Sequence, residues 1–183
     1  MAITELLDEL VAMLASPIVA GVLVVLLVLG VLAWLILEIV SDGERRALIV
    51  DGEYRGLLEP GVHIVRPFGA STTAINVDPQ LLTAVVDGTE TSDGGVVDVE
   101  ATVEFQVSDP ETAFETVGNP APRFLEDVEL AIYNVVESLP ARELREDTGQ
   151  FAVTLEERLA AETTPYGITI HDVMIGSVTV YET

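Results

Sequence analysis

The chain has 183 residues, with 31 acidic side chains against 8 basic ones, a formal charge of −23, and no cysteine. The charge argues against a nucleic-acid partner, because no surface rich in cations is available to release counterions from phosphates. The missing cysteines exclude a disulfide framework, thiolate chemistry and palmitoyl attachment.

In chain order, residues 1–15 read as a short amphipathic lead-in, either a separate interfacial helix or the first turns of the membrane helix. Thr4 is a possible N-cap, and Leu6, Leu7, Leu10, Val11 and Leu14 recur at helical spacing. From Leu10 to Leu37 no side chain is ionisable. At about 1.5 Å per residue, roughly 20 apolar residues cross a hydrocarbon core about 30 Å thick, so residues 16–38 are expected to form one transmembrane helix. Pro17 opens it, Gly21 and Gly30 are its weak helix formers, Trp34 suits the interface, and Leu37 closes it. The proline stands at the start of the expected span rather than inside it. A cleaved signal peptide needs a basic leader and a small-residue cleavage site, whereas Met1–Glu9 is acidic, so a permanent anchor is expected.

Acidic residues contribute little to the positive-inside rule, so arginine sets the orientation. The N-terminal flank has none, while Arg45, Arg46 and Arg55 follow the span closely. The N-terminus is therefore expected outside and the remainder, residues 44–183, in the cytoplasm as one domain. All eight cations are arginine, a usage that resembles proteins of extreme halophiles, where concentrated salt screens carboxylate repulsion.

Strands are expected at Arg46–Asp51 and Tyr54–Leu58 around an Asp51-Gly52 turn, at Val62–Arg66, at Thr72–Val77 and at Leu81–Val86. Pro67-Phe68-Gly69 then leaves an aromatic side chain on a loop. Val97 to Val107 alternates apolar and polar without a fault, which predicts one buried and one wet face. A short helix follows at Pro110–Thr116. The next is capped by Asn119-Pro120, carries Phe124, Val128, Ala131, Ile132, Val135 and Leu139 as its apolar stripe, and stops at Pro140. Another begins near Ala141, breaks at Thr148-Gly149 and continues through Phe151, Leu155 and Leu159 to Thr164-Pro165. Ile168–Tyr181 is a strand whose apolar parity shifts twice, near His171 and near Gly176, and each shift predicts a bulge.

Signals for chemistry are sparse. Two histidines, His63 and His171, without cysteine make a metal site unexpected. No Gly-x-Ser-x-Gly, Walker or dinucleotide fingerprint occurs. Asp87 to Gly95 fails the calcium-loop spacing and reads as a hairpin turn. Asp98, Glu100 and Glu104 share one strand face, and a membrane-bound hydrolase, the rival reading, would use that face with His171.

Three strings, in order, resemble the SPFH or band 7 family of stomatins, prohibitins and flotillins. They are Gly61-Val-His-Ile-Val-Arg-Pro-Phe, the run Thr91-Ser-Asp-Gly-Gly through the alternating strand to Phe105-Gln-Val-Ser-Asp-Pro, and Pro165-Tyr-Gly-Ile. The resemblance implies an α+β fold with a twisted, mostly antiparallel sheet and three to four packed helices behind the anchor. It also implies a non-catalytic scaffold without metal or cofactor that self-assembles on the bilayer and organises membrane patches or regulates membrane proteases or channels. An accessory subunit that does not self-assemble is the alternative. By position, Pro67 and Phe68 would lie at the membrane interface. Relatives follow this domain with a long charged helix that this sequence does not contain, so large closed cages are not expected. They also often carry an arginine before the valine in the segment corresponding to Ala131–Leu139, and here it is absent.

Overall fold

The computed structural model of the chain describes residues 17–181; the expected lead-in lies outside them. Helix α1 (Pro17–Ile36) begins at the expected proline, where a missing N–H breaks no helical bond. None of its residues is buried. It is long and apolar enough to cross a membrane, and it is not a core helix of the domain that follows.

Leu37, expected to close the span, is instead the first residue of strand β1 (Leu37–Val40), which pairs antiparallel with β4 (Gly61–Ile64). Leu37-Glu-Ile-Val alternates, and its β-branched residues suit a pleated strand better than the end of a helix. Strands β2 (Glu44–Val50), β3 (Glu53–Leu58) and β5 (Ala70–Asn76) form an antiparallel sheet with β2 central. Its β2–β3 hairpin turns on Asp51 and Gly52, both with positive φ, as a two-residue hairpin of this twist requires. Strands β6 (Gln80–Glu90), β7 (Val96–Val107) and β8 (Ile168–Tyr181) form a second such sheet with β7 central. The fold is α+β as expected, with its strands divided among three sheets.

The helices α2 (Pro110–Val117), α3 (Pro120–Ser138), α4 (Ala141–Glu146) and α5 (Thr148–Thr163) lie between β7 and β8 in sequence, and a 3₁₀ turn (Thr164–Tyr166) leads into β8. The alternation of β7 decides where they pack. Val97, Val99, Ala101, Val103, Phe105 and Val107 are all buried, in one core with Phe124, Val128 and Ile132 of α3 and Leu155 and Leu159 of α5. Phe105 and Phe124 meet with ring centroids 4.1 Å apart. Burying each large apolar side chain is worth about 1.5–3 kcal/mol, so this layer dominates the domain's cohesion. The two parity shifts of β8 are bulges: the β7–β8 register slips between Asp172 and Ile170 and between Ser177 and Ile175, leaving His171 and Gly176 as the extra residues.

Three polar contacts fix the helices to the sheet. Asp93 accepts from Thr91 Oγ1 at 2.6 Å and from the Ala141 amide at 3.1 Å, so the turn after β6 caps α4. The Gly167 carbonyl accepts from the amides of Ser108 and Asp109 at 2.9 and 3.0 Å. Gly167 has φ +80, and a Cβ there would stand 2.3 Å from the Asp109 carbonyl oxygen, so only glycine fits. Finally the Tyr166 hydroxyl donates to buried Asp127 of α3, which Arg123 also holds at 2.9 Å.

Burial, then the bond to Asp127, raises the Tyr166 pKa above the ordinary 10.0. The folded state therefore holds the phenolic proton more tightly than the unfolded state. Its contribution is complete below pH 10 and is lost as pH rises further. Tyr166→Phe is expected to cost about 1–2 kcal/mol near neutrality. In denaturant unfolding of the two proteins, the gap should narrow above pH 10; a gap that stays constant would show that this hydrogen bond does not contribute.

Candidate functional site

The β1–β4 ribbon has two unlike faces. Cross-strand partners share a face, so Leu37 with Ile64 and Ile39 with Val62 form one side. These side chains are open to solvent, Ile39 at 70%, Val62 at 66% and Ile64 at 80%. The other side turns toward the domain: Val40 is buried, Glu38 accepts from Arg46 and from Thr72 Oγ1, and His63 Nε2 contacts the Glu59 carbonyl. A ribbon in water would be expected to turn its apolar face inward, and here it faces out beside the end of α1.

Phe68 stands on the loop that leaves this ribbon and is 84% exposed. The loop is tied to the β2–β3 turn: the Asp51 amide donates to the Gly69 carbonyl at 2.6 Å, and Arg66 lies 3.7 Å from the Asp51 carboxylate. Gly69 has φ +73. Pro67 and Phe68 are thus held at an exposed tip by the backbone on either side. Among the residues expected in the span, Pro17, Gly21, Gly30 and Trp34 lie in α1, with Trp34 exposed near its end.

The three arginines expected to set orientation are each held by glutamate. Arg45 meets Glu59 at 2.9 Å, Arg55 meets Glu53 at 2.8 Å, and Arg46 lies between Glu44 and Glu38. The Glu44 hydrogen bond, with that of Glu38, raises the Arg46 pKa, so its charge is permanent.

On the acidic face of β7, Asp98 is committed to structure. Asp98 accepts from the Gly88 amide and from the Tyr181 hydroxyl, the first of which fixes the bulge in β6 and the second of which ties β8 across the sheet. These bonds, that of Tyr181 foremost, lower its pKa. His171 contacts Gln106 at 3.2 Å. Among the described residues no three histidine, aspartate or glutamate side chains converge as metal ligands.

A helix long and apolar enough to span a bilayer, joined without a linker to an α+β domain, is the organisation of a membrane-anchored protein. Residues 38–183 match the SPFH domain / Band 7 family, and the chain belongs to it. Similar proteins include stomatin homologs of Pyrococcus horikoshii and Pyrococcus abyssi, each 26% identical over 142 residues, or 78% of this chain. The chain spans about half the length of these relatives, 53% of each. The family is generally non-catalytic.

The apolar face of the ribbon is what sequence reading missed. The signal was present in the matching parity of Leu37/Ile39 and Val62/Ile64, but Leu37 falls within the expected span and Ile39 between that span and the expected domain. Replacing Gly69 by alanine forces a side chain into positive φ, at a cost of about 1–2 kcal/mol, with asparagine costing less. Thermal unfolding should rank wild type above Gly69→Asn above Gly69→Ala; equal stabilities would mean the loop is not held in this conformation.

Proposed function

We infer that this protein is a single-span, non-catalytic membrane scaffold whose domain rests on the cytoplasmic face of the bilayer and assembles side by side, organising membrane patches or regulating membrane proteases or channels. One observation carries the reading: α1 passes into β1 with no intervening residue, and the ribbon it enters turns four apolar side chains outward. A strand attached directly to the end of a membrane helix lies at the headgroup level, where apolar and aromatic side chains are stabilised. Phe68 extends the same contact. Tethering also confines the domains to two dimensions and raises their effective concentration, so weak lateral contacts suffice. At −23 per chain, repulsion opposes assembly in dilute salt and is screened in concentrated salt.

Because the chain has no cysteine, single substitutions give unique labels. An environment-sensitive fluorophore at Ile64→Cys or Phe68→Cys, in full-length protein in liposomes, should shift to the blue relative to one at Glu100→Cys. Equal spectra at all three would refute the interfacial placement. Protease added outside sealed right-side-out vesicles should spare the domain, and its digestion there would refute the orientation. Cross-linking in membranes at molar salt should yield homo-oligomers that disperse as salt is lowered. Monomers alone, or a fixed complex with one different protein, would refute self-assembly.

A further inference from the structure

Strand β6 is an open edge. Among the described residues its only strand neighbour is β7, so one row of its backbone N–H and C=O groups points away from the sheet. Proteins normally guard such an edge with charge, proline or a bulge. Here the bulge comes only at Asp87-Gly88, and the residues before it, Gln80-Leu-Leu-Thr-Ala-Val-Val, contain neither charge nor proline in a chain that is 21% charged. Exposed apolar side chains flank this edge, Val85 from the strand and Leu130 and Tyr133 from α3, around a groove of about 450 Å³ with Asp87 and Glu129 on its rim.

The opposite edge of the same sheet is β8, again with β7 as its only strand neighbour among the described residues. Past its second bulge, Ser177–Tyr181 is an uninterrupted, uncharged run. Arg142 and Arg145 stand beside its end, around a groove that Val180 and Tyr181 also line. Among the described residues every other arginine has a carboxylate within ion-pair distance, and Arg145 has none.

The two edges are complementary in direction and in charge. Both β6 and β8 run antiparallel to β7, so they run parallel to each other, and Val85, Glu100 and Ser177 stand in one row across the sheet. The arginine-flanked end of β8 is level with the acidic rim, since Val180 pairs with Val97 and Val97 with Thr89, just past Asp87. Copies anchored through α1 share one sense relative to the bilayer. Set side by side, the β6 edge of one faces the β8 edge of the next in parallel.

We propose that the open β6 edge, with Val85, Leu130 and Tyr133 beside it, receives the Ser177–Tyr181 edge of a second copy, so that the sheet continues from copy to copy in a head-to-tail row. The main-chain bonds supply affinity, as in other strand additions. Arg145 facing Asp87 and Glu129 sets the register and disfavours a contact between two β6 edges, which would oppose acid to acid. A heterologous contact of this kind generates rings or rows rather than closed pairs. The proposal rests on the self-assembly reading, and its test separates the two.

Full-length protein in liposomes at molar salt is compared with Leu81→Lys and Val85→Lys, both at exposed positions, and with Arg145→Glu. Species above the monomer should be lost in both lysine variants and reduced in Arg145→Glu, with thermal unfolding unchanged. If wild type assembles and the lysine variants assemble equally, the edge contact is overturned while self-assembly stands; if wild type stays monomeric, both fall. An independent arm needs no loss of function. Val85→Cys protein and Ser177→Cys protein, co-reconstituted and treated with a short bis-maleimide, should give cross-linked dimers, and neither variant alone should do so; keeping the two cysteines on separate copies prevents closure within one sheet, where they stand only about 10 Å apart. Dimers from Val85→Cys alone, or none from the mixture, would overturn the head-to-tail arrangement.

Discussion

At Ile36–Leu37 the backbone passes from helix to strand with no residue between them, and most of what distinguishes this molecule follows from that junction. A flexible linker would leave the domain free to tumble above a membrane. Here the hydrogen bonds of β1 to β4 begin where those of α1 end, so the ribbon's position relative to the helix is fixed by backbone pairing. The ribbon is in turn fixed to the first sheet, because Glu38 is shared by Arg46 of β2 and Thr72 of β5.

From there the connection runs inward through packing. Ala47 and Ile75 of the first sheet belong to the same core as β7 and α3, and Tyr54 of β3 stacks on Phe114 of α2 at 5.2 Å. The hydroxyl of Tyr54 is buried and has no hydrogen-bond partner among the described residues. The strings that mark the family sit at the joints of this assembly. The turn of the first part of the long signature caps α4, its terminal Asp-Pro caps α2 and meets Gly167, and the tyrosine of Pro-Tyr-Gly reaches back to α3. These joints connect segments that lie far apart in sequence and close together in the fold.

Much of this was legible where the signal is local. The perfect alternation of β7 gave its buried face, Asn119-Pro120 gave the start of α3, and the two parity shifts gave the bulges at His171 and Gly176. What escaped reading was non-local or masked. Strand β1 was hidden because its first residue, Leu37, continues the apolar run of the helix and the strand has only four residues in which to show its alternation. β6 runs past its expected end at Val86 because the Asp87-Gly88 bulge is stabilised by Asp98, on the next strand. The bond from Tyr166 to Asp127 spans 39 residues and follows no spacing rule.

The order of elements along the chain also bears on how such a ribbon is made. Four exposed apolar side chains on a two-stranded ribbon are an aggregation hazard in water, yet they are not assembled there until β4 has been synthesised. Since α1 precedes β1 and β1 precedes β4, the apolar helix leaves the ribosome before the ribbon can close. In the proposed interfacial placement, the segment that brings that face to the bilayer is therefore made before the face itself exists.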